Sequence, residues 1–515
     1  MRRAMEARWQ LAGAICYGAT VLLVLAGCGG TSSNTPGMTD PPAPAPTDSI
    51  SGTVTYNGAP LAAVTITEWS TNTNVVLATT TTDANGNYSF SGIPTQGNVP
   101  LELHFYAMKS GYGFVPSVGS GATATRADHT GQFTGTLPTG IYFNVIDFVA
   151  KANASITGAN FTAYTEKTPL VSLGTTGQRM SYAAGDDGAL QKGAAWPAQR
   201  FTDNGDGTVT DALTGLVWLK DAGCLAPAVW ATALTEVNQL ASGTCGLGDG
   251  SKAGQWRMPN LNELESMVDV SASNPAVPAG SPFKNVANAT YWSSTSYWGG
   301  ETGSPQAWAI RMSDGRYMND SASDVKTTAV NQVWAVKGTG GGVIKLARTG
   351  MYVVFAAGDD GSMQAGVMAP YPRFIDNSNG TVTDMVTGLV WLKRASCIQG
   401  DWASALATVS TLASGQCGLS DGSTAGQWRM PNRSEMQSLQ DRMMNNHAQW
   451  FAQTDYNSDG SVFQAAILSG FIASQYYWTS TTDAANVGEA WTVYSCDFGV
   501  YDVSKTNTGY TLAVR

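Results

Sequence analysis

Two stretches of this chain, 173 positions apart, have nearly the same sequence. RFTDNGDGTVTDALTGLVWLK begins at Arg200 and RFIDNSNGTVTDMVTGLVWLK begins at Arg373, with 16 of 21 residues identical. The match continues through the strings AAGDDG, GQWRMPN and YWSST or YWTST, so the repeating unit spans about 165 residues. Solenoid repeats are only about 20 to 50 residues long. We therefore expect two complete globular domains in tandem, copy 1 at residues 176–338 and copy 2 at residues 349–515.

The duplication separates scaffold from candidate site, because residues kept in both copies serve the fold, whereas a binding group can differ between them. Ten of the 16 tryptophans form matched pairs, which we assign to the core: Trp218/Trp391, Trp230/Trp402, Trp256/Trp428, Trp292/Trp478 and Trp308/Trp491. Sugar rings stack on exposed aromatic rings, so the unmatched tryptophans of the two copies are ligand-binding candidates: Trp298, Trp196, Trp334 and Trp450. Trp298, in the Gly-rich loop YWSSTSYWGG, is the strongest candidate; the alternative is a rim aromatic without a ligand.

The N-terminus has the layout of an export signal. Three arginines precede an apolar run over residues 11–27, and the run ends in the sequence LAGC at Cys28. This ending resembles the lipobox of bacterial lipoproteins, which implies cleavage of residues 1–27 as a signal peptide and attachment of lipid, including palmitate, to Cys28. The alternative is an ordinary signal peptide that ends in a cysteine. The residue after the cysteine is Gly29 and not an aspartate, which resembles lipoproteins that are sorted to the outer membrane. The protein would then be displayed on the cell surface or on the periplasmic face of that membrane.

Two further segments precede the duplicated copies. Residues 28–48 are rich in Pro, Ser, Thr and Gly and poor in apolar bulk, so we expect a disordered tether. Residues 49–164 show short alternating strands with turns such as Asn57-Gly58, which predicts an all-β sandwich. The string TDANGNYSFSGIP resembles the carboxypeptidase regulatory-like (prealbumin-like) domains of bacterial surface proteins, and this resemblance implies a stalk or spacer.

Each copy reads as an α+β domain stabilised by one disulfide. Short hairpins open the copy, and a helix follows in which apolar residues recur on one face, as Trp230, Leu234, Val237 and Leu240 do. Cysteines flank that helix in both copies, and outside the cytoplasm we expect the disulfides Cys224–Cys245 and Cys397–Cys417. A second helix is predicted after Asn260 and Asn432, because a glutamate three residues later completes a capping box.

The series DNGDGTVTDxxTGLVW, WRMPNxxE, YWSST, AWxV and a closing VK or VR resembles the Lcl C-terminal domain family. The resemblance covers both copies and implies a C-type lectin-like fold on a secreted or surface protein, with a role in adhesion through sulfated glycosaminoglycans. The whole chain is thus interpreted as multidomain: an all-β sandwich followed by two tandem α+β C-type lectin-like domains.

The charge of the copies departs from what a sulfated polymer requires. Copy 1 has 11 basic and 15 acidic residues, copy 2 has 8 and 14, and the chain has a net charge of −10. A polyanion prefers a basic face, so we expect a neutral polysaccharide, an envelope or extracellular protein, or a cation-bridged surface as partner, and no nucleic acid. A local cationic patch is the exception that the sequence allows, at Lys393, Arg394, Arg429 and Arg433.

Calcium is the one cofactor that the sequence suggests. DYNSDGS in copy 2 places Asp455, Asn457 and Asp459 at the alternating oxygen positions of a calcium loop, with Gly460 at the sharp turn. Ala466 stands where the closing acidic residue belongs, and a polar surface turn is the alternative.

Catalysis is the competing class of function. The C-type lectin-like fold that the resemblance implies also includes the formylglycine-generating oxidases, which use paired cysteines. In this chain only Cys496 is left over once Cys16 is removed with the leader, Cys28 carries lipid and four cysteines are paired. The three histidines are scattered, so we predict a buried strand position for Cys496, no catalytic residues and no enzyme. The expected function is adhesion or glycan binding by a lipid-anchored protein. A structural envelope component without a small ligand is the alternative, and an oxidase is the third hypothesis.

Overall fold

The structure is a computed structural model. It describes residues 47–70, 75–94, 101–108, 112–118, 145–150, 155–157, 159–165, 169–298, 305–318, 324–370, 373–444, 447, 451, 455–456, 462–464 and 468–515. The chain divides into two compact units, the second of which contains both copies within residues 163–515. Within the described ranges, no helix has the length and apolar character needed to cross a membrane. Cys28 and the predicted leader and tether lie outside the described residues, apart from the last two tether positions.

The segment before the copies is built from strands alone in its described parts. Its ten strands are β1 (Thr47–Tyr56), β2 (Ala59–Pro60), β3 (Thr65–Ser70), β4 (Val75–Thr81), β5 (Asn87–Pro94), β6 (Leu101–Met108), β7 (Tyr112–Val118), β8 (Val145–Ala150), β9 (Ser155–Thr157) and β10 (Ala159–Thr165). One sheet has the order β2-β1-β10-β7, with β5 and β9 also paired to β1, and the other has the order β4-β3-β6-β8. The predicted turn residue Asn57 takes a positive φ of 49° before Gly58.

Copy 1 is an α+β arrangement of short elements. They are α1 (Asp187–Leu190), β11 (Phe201–Asp203), β12 (Thr208–Asp211), β13 (Val217–Leu219), α2 (Trp230–Gln239), α3 (Leu261–Glu265), β14 (Thr290–Ser296), β15 (Ala307–Arg311), β16 (Arg316–Met318) and β17 (Val336–Lys337). The first sheet has the order β11-β12-β13-β17, so the last strand of the copy pairs with its opening hairpins. The second sheet is β14-β15-β16.

Copy 2 repeats this plan with additions. Its elements are α4 (Asp360–Met363), β18 (Phe374–Asp376), β19 (Thr381–Asp384), β20 (Val390–Leu392), β21 (Ile398–Gly400), α5 (Trp402–Ser410), α6 (Arg433–Ser438), β22 (Asp455–Tyr456), β23 (Val462–Gln464), β24 (Tyr476–Thr482), β25 (Glu489–Tyr494), β26 (Val500–Ser504) and β27 (Gly509–Thr511). The sheets are β18-β19-β20, β22-β23 and the five-stranded β21-β27-β24-β25-β26.

The predicted helices and disulfides are present in both copies. In α2, Trp230, Leu234 and Val237 are buried together, because the 3.6-residue period places them on one face. The cysteine pairs Cys224–Cys245 and Cys397–Cys417 are bonded, with Cα atoms 5.6 and 5.7 Å apart. Each bond closes a loop of about 20 residues across the end of the helix, which stabilises a domain by roughly 3 kcal/mol in the chain-entropy model.

Both capping boxes form. The Asn260 side chain accepts a hydrogen bond from the Glu263 backbone N–H, and the Glu263 carboxylate accepts one from the Asn260 N–H; Asn432 and Glu435 repeat this geometry. The same glutamates also pair with Arg257 and Arg429 of the GQWRMPN strings. The repeated glutamates therefore stabilise a turn and a salt bridge, which accounts for their presence in both copies.

All ten matched tryptophans are core residues, with at most 2% of each side chain exposed. Trp334 is also fully buried, where its ring contacts Trp218 and Phe283 and its indole N–H donates to the Leu219 carbonyl oxygen. The assignment of Trp334 as a ligand-binding candidate is therefore wrong. Its lack of a tryptophan counterpart reflects the packing of this core, in which copy 2 has Leu512 at the corresponding strand.

The Trp334→Ala variant is predicted to lose about 3–5 kcal/mol of unfolding free energy, because truncation leaves a cavity among three aromatic rings. Trp298→Ala is the matched control, since its half-buried ring lies two residues beyond the end of β14, and we expect a loss below about 1 kcal/mol. Chemical denaturation of both variants measures the difference. Equal losses would contradict the assignment of Trp334 to the core and Trp298 to the rim.

Candidate functional site

The two copies exchange loops, and this exchange builds the surface between them. We call residues 176–193 arm 1 and residues 349–366 arm 2. Each arm is closed at its base by a parallel bridge, Gly174 with Ala194 and Ala347 with Val367. The tip of arm 1 lies on copy 2, and the tip of arm 2 lies on copy 1. The expectation of two independent tandem domains is thus modified: each copy is completed by the arm of the other.

A buried aspartate fixes each arm tip. In arm 1, Asp187 Oδ2 accepts hydrogen bonds from Thr176 at 2.6 Å and from Thr481 of copy 2 at 2.7 Å. In arm 2, Asp360 Oδ2 accepts from Thr349 at 2.5 Å and from Thr295 of copy 1 at 2.7 Å. Thr295 and Thr481 are the same position of the repeated YWSST and YWTST strings. One carboxylate therefore joins the base of its own arm to the opposite copy.

The AAGDDG string is explained by this docking. Asp186, the first aspartate, accepts three backbone N–H groups of its own arm, from Tyr182, Ala183 and Ala189. The glycine that follows the pair, Gly188, has no room for a side chain, since a Cβ there would lie 1.9 Å from the Met180 carbonyl oxygen. The first aspartate shapes the arm, the glycine allows the close turn, and the second aspartate reaches across.

A lysine between two aromatic rings supports each arm from the side. Lys326 Nζ of copy 1 lies 4.3 Å from the ring centres of both Trp230 and Phe355, the latter on arm 2. Lys505 of copy 2 lies 4.0 Å from Trp402 and 5.0 Å from Tyr182 of arm 1. Burial lowers the pKa of Lys326 to about 8. Cation–π contacts of this kind are worth roughly 0.5–2 kcal/mol each.

Two buried arginines of copy 2 complete the contact with copy 1. Arg433 pairs with Glu265 at 3.0 Å, and its guanidinium carbon lies 4.5 Å from the centre of the Trp491 ring. Arg442 stacks on Trp308 at 4.0 Å, and burial lowers its pKa to about 10. The interface between the copies thus combines a buried ion pair with apolar packing, since Trp491 and Val500 of copy 2 belong to the buried core cluster of copy 1.

A cavity of about 130 Å³ lies between the copies, where the bases of the two arms approach each other. Its wall is largely apolar, with Val171, Leu173, Ile344 and Leu346 from the arm bases among its lining. Trp196 also lines it; the indole N–H donates to the Thr175 carbonyl oxygen, and the Arg200 guanidinium lies 4.4 Å from the ring centre. A pocket that is mostly apolar with a few polar groups is the usual form of a small-molecule site.

The cavity brings together residues that differ between the copies. Gln437 and Gln440 line it from α6 and the turn after it, and their counterparts in copy 1 are Glu265 and Val268. Trp196 has Ala369 as its counterpart. The backbone around them is duplicated, so these three side chains are not needed for the fold of the repeat. Sequence reasoning singled out Trp196 but missed both glutamines, because a polar residue in a helix gives no signal of burial.

The other predicted site residues lie elsewhere. Trp298 is half-buried, with its ring centre 6.4 Å from that of Phe355 on arm 2, and it does not reach the cavity lining. Trp450, Asn457 and Asp459 fall outside the described residues, as does the side chain of Asp455, whose backbone opens strand β22.

The cationic patch allowed by the sequence does not form. Lys393 pairs with Asp376, Arg429 with Glu435, and Arg433 is fully buried against Glu265. Arg394 is the exposed member of the four. Three of the four charges are thus used within the fold, which leaves no basic surface at this position for a sulfated polymer.

Acidic side chains do cluster at one end of the copy 2 sheet. Carboxylate oxygens of Asp483, Glu489 and Asp502 lie within 4.8 Å of one another. Arg316 of copy 1 pairs with Asp502, which places a positive charge beside the group. One of the three carboxylates is therefore engaged in an ion pair between the copies.

His447 lies close to Cys496 in space, although 49 residues separate them. The ring Nδ1 is 3.4 Å from the Cys496 carbonyl oxygen, and Nε2 accepts the Asp441 backbone N–H at 3.2 Å. Burial lowers the pKa of His447 to about 3, so the ring is neutral at ordinary pH. Both ring nitrogens contact backbone groups, which is the geometry of a core histidine. Cys496 is 5% exposed, as predicted, but the prediction of a strand position is wrong, because the residue lies in the turn between β25 and β26.

Comparison with known proteins identifies the duplicated copies. The model of the family described as "Lcl C-terminal domain" matches residues 207–337 and 380–515, together slightly more than half of the chain. A search of curated proteins finds no match.

Solved structures give only slight likenesses. A 3-chlorocatechol 1,2-dioxygenase from Rhodococcus opacus 1CP is 16% identical over 24% of this chain and 60% of its own, with a TM-score of 0.13. A catechol 1,2-dioxygenase from Pseudomonas arvilla C-1 is 16% identical over 25% of this chain and 56% of its own, with a TM-score of 0.14. The chain thus spans less than two thirds of either protein, and similarities this low carry no argument about fold or activity.

The arm aspartates predict a pH dependence of stability. Burial raises the pKa of Asp187 to about 6 and that of Asp360 to about 7, above the ordinary value of 3.8. A raised carboxyl pKa stabilises the fold fully below the unfolded pKa, and this contribution is lost as the pH rises through the folded pKa. From about pH 4 to pH 8, the wild-type melting temperature should therefore fall a few degrees more than that of the Asp187→Asn/Asp360→Asn variant.

Titratable groups that the wild type and the double variant share change both melting temperatures equally, so they do not affect the difference. His447 is one of them: its lowered pKa makes the stability fall as the pH falls, opposite to the effect of the two aspartates. Thermal melts at several pH values provide the measurement. Parallel curves for the wild type and the double variant would show that these carboxyls do not titrate as their burial requires.

Proposed function

This chain belongs to the Lcl C-terminal domain family, and from that membership we propose that it is a lipid-anchored adhesin whose joined copies bind glycans. Domains of this family indicate a protein of the cell surface or envelope. The proposal adds a role in adhesion to this cellular location. It is supported by a mostly apolar cavity with a few polar groups between the copies.

The attachment that we propose runs through the N-terminus. Cleavage before Cys28 would leave this residue to carry acyl chains, palmitate among them, in the outer membrane of a two-membrane cell. Each buried methylene contributes roughly 0.8 kcal/mol, so several chains on one residue give stable anchoring. The tether and the β-stranded segment would then hold the copies away from the lipid surface, facing either the exterior or the periplasm.

The charge distribution favours an uncharged glycan. Three cations of the basic patch that the sequence allowed are paired with carboxylates within the fold, and both copies are net acidic. A polymer bound through its negative charges would find little attraction at such a surface. A neutral polysaccharide, bound by hydrogen bonds and apolar contact, suits these copies better.

The observation that supports the proposal most is that residues present in only one of the two copies line the cavity. Matched residues such as Trp218, Thr295 and Asp360 are core or arm contacts, whereas Trp196, Gln437 and Gln440 line the cavity and differ between copies. Part of the variation between the copies thus falls on the wall of this cavity, which is what a binding role for the cavity requires.

A structural envelope component without a small ligand is the second candidate. It is favoured by the exchanged arms, since each copy is locked to the other by buried hydrogen bonds. Such a protein needs no recognition surface. Glycan binding separates the two candidates.

The full chain is predicted to bind neutral glycans on a broad array, with and without calcium, in preference to sulfated ones. Binding should weaken little as salt is raised from about 50 to 500 mM, because it depends on few charges. An array without signal in both conditions would favour the structural component. A signal confined to sulfated glycans and abolished by salt would contradict the choice of a neutral ligand.

Anchoring is tested by Cys28→Ser in the producing cell. We expect loss of metabolic palmitate labelling and loss of membrane association, because the acylated residue is removed. Cys16→Ser is the matched control, since Cys16 lies within the proposed leader, and it should keep both. Full labelling of the Cys28→Ser protein would show that the lipid is attached to another residue.

A further inference from the structure

The cavity between the copies has an apolar frame to which the two arm bases contribute equally. Val171 and Leu173 line it from the base of arm 1, and Ile344 and Leu346 line it from the equivalent positions of arm 2. The parallel bridges that close the two arms confirm this equivalence. Leu173 and Leu346 are only half-buried, although both belong to the cavity wall. The wall therefore retains surface that the protein itself does not cover.

Two cations in the wall break this symmetry. Lys345 and Arg348, which we call the arm cations, stand at the base of arm 2, whereas the equivalent residues of arm 1 are Ser172 and Thr175. All four residues line the cavity. The chain has a net charge of −10, so overall composition does not explain two cations at this wall. The positive charge of the cavity comes from one copy, on a frame that forms without it in the other.

The other charged residues of the wall are paired within the protein. Arg373 makes two hydrogen bonds of 3.0 Å to the buried carboxylate of Asp384. Glu265, the only acidic residue among the described residues of the wall, pairs with Arg433 at 3.0 Å. Neither residue therefore supplies the arm cations with a counter-charge.

Neutral oxygen atoms orient Arg348. Its side chain donates to the Gln364 side-chain oxygen at 2.8 Å and to the Gly366 carbonyl oxygen at 3.3 Å. These acceptors fix the guanidinium without cancelling its charge. Burial lowers the pKa of Arg348, although the attraction of Asp360 opposes this shift. The charged form is thus desolvated more than it is compensated, and an anion beside it would offset the difference.

The volume of the cavity restricts its ligand to a small molecule. The cavity measures about 130 Å³, slightly less than the roughly 150 Å³ that holds one benzene molecule. Lys345 is exposed, so the cavity reaches the surface at this residue, which we call its mouth. A glycan chain bound by the copies would contact only the mouth, and the interior is left for a smaller molecule.

We infer that the cavity binds a small monocarboxylate with an apolar body of about five or six carbon atoms. The body packs against Leu173, Leu346 and Trp196, and the carboxylate meets the arm cations at the mouth. A carboxylate matches the planar fork of a guanidinium. An uncharged molecule would leave the arm cations without an anion, and a fully polar anion would leave the apolar wall uncovered. This inference goes beyond the proposed glycan binding and does not rest on it.

The test is isothermal titration calorimetry of the full chain with benzoate and with isocaproate, which join one carboxylate to a ring or to a branched chain. We expect a Kd on the order of 0.1–1 mM for ligands of this size. Benzyl alcohol, which has the size of benzoate but no charge, should bind at least about tenfold more weakly. Raising the salt from about 50 to 500 mM should weaken benzoate binding several-fold, because the charge lies near the surface.

Two variants place arm 1 residues at arm 2 positions. Lys345→Ser should weaken benzoate binding about threefold, because an exposed ion pair contributes little. Arg348→Thr removes the half-buried cation and should weaken binding about tenfold or more. Lys252→Ser is the matched control, since this exposed lysine lies outside the cavity, and it should bind as the wild type does. Melting temperatures near that of the wild type confirm that the variants are folded.

The outcomes separate this inference from the proposed function. No binding of either carboxylate, equal affinity for benzoate and benzyl alcohol, or wild-type affinity in both arm variants overturns the cavity assignment, even if the array shows glycans bound. Carboxylate binding that depends on the arm cations, beside an array without signal, supports the cavity assignment and contradicts adhesion to glycans.

Discussion

The contact on which this architecture depends is a carboxylate shared by two threonine hydroxyls across the boundary between copies. Asp187 and Asp360 each bind one threonine of their own arm and one of the opposite copy, and all of these side chains are buried. Burying a carboxyl group is costly unless its hydrogen bonds are made. Since the partners come from both copies, neither aspartate is satisfied until the arms have crossed.

The cavity follows from the same crossing. The arm bases run along the boundary between the copies and form its aliphatic wall, while α3, α6 and the residues after them form its polar side. A site at the meeting of two similar units is free to be asymmetric, because the lining residues that differ between the copies are not needed for either fold. Glu265 and Gln437 illustrate this: one closes the interface through Arg433, and the other leaves an amide unpaired.

Local features of the fold were predictable from the sequence, and the long-range ones were not. The capping boxes, both disulfides and the amphipathic helix at Trp230 depend on residues close in the chain, so spacing was enough to predict them. Matching between copies identified the buried tryptophans, but it could not distinguish Trp334, which is unmatched and nevertheless core. The exchange of arms was not foreseen, because AAGDDG predicts a turn equally well whichever copy it contacts. The cavity glutamines gave no sequence signal at all.

The exchange itself is tested most directly by cross-linking. Gln178 of arm 1 bonds the backbone of Thr482 in copy 2, at 3.0 and 3.1 Å, and Ser296 is the equivalent of Thr482 in copy 1. Two double variants, Gln178→Cys/Thr482→Cys and Gln178→Cys/Ser296→Cys, are treated with a short bismaleimide and mapped by peptide mass spectrometry. The account predicts a cross-link between positions 178 and 482 and none between 178 and 296. A cross-link between 178 and 296 alone would show that each copy keeps its own arm, and the architecture described above would be wrong.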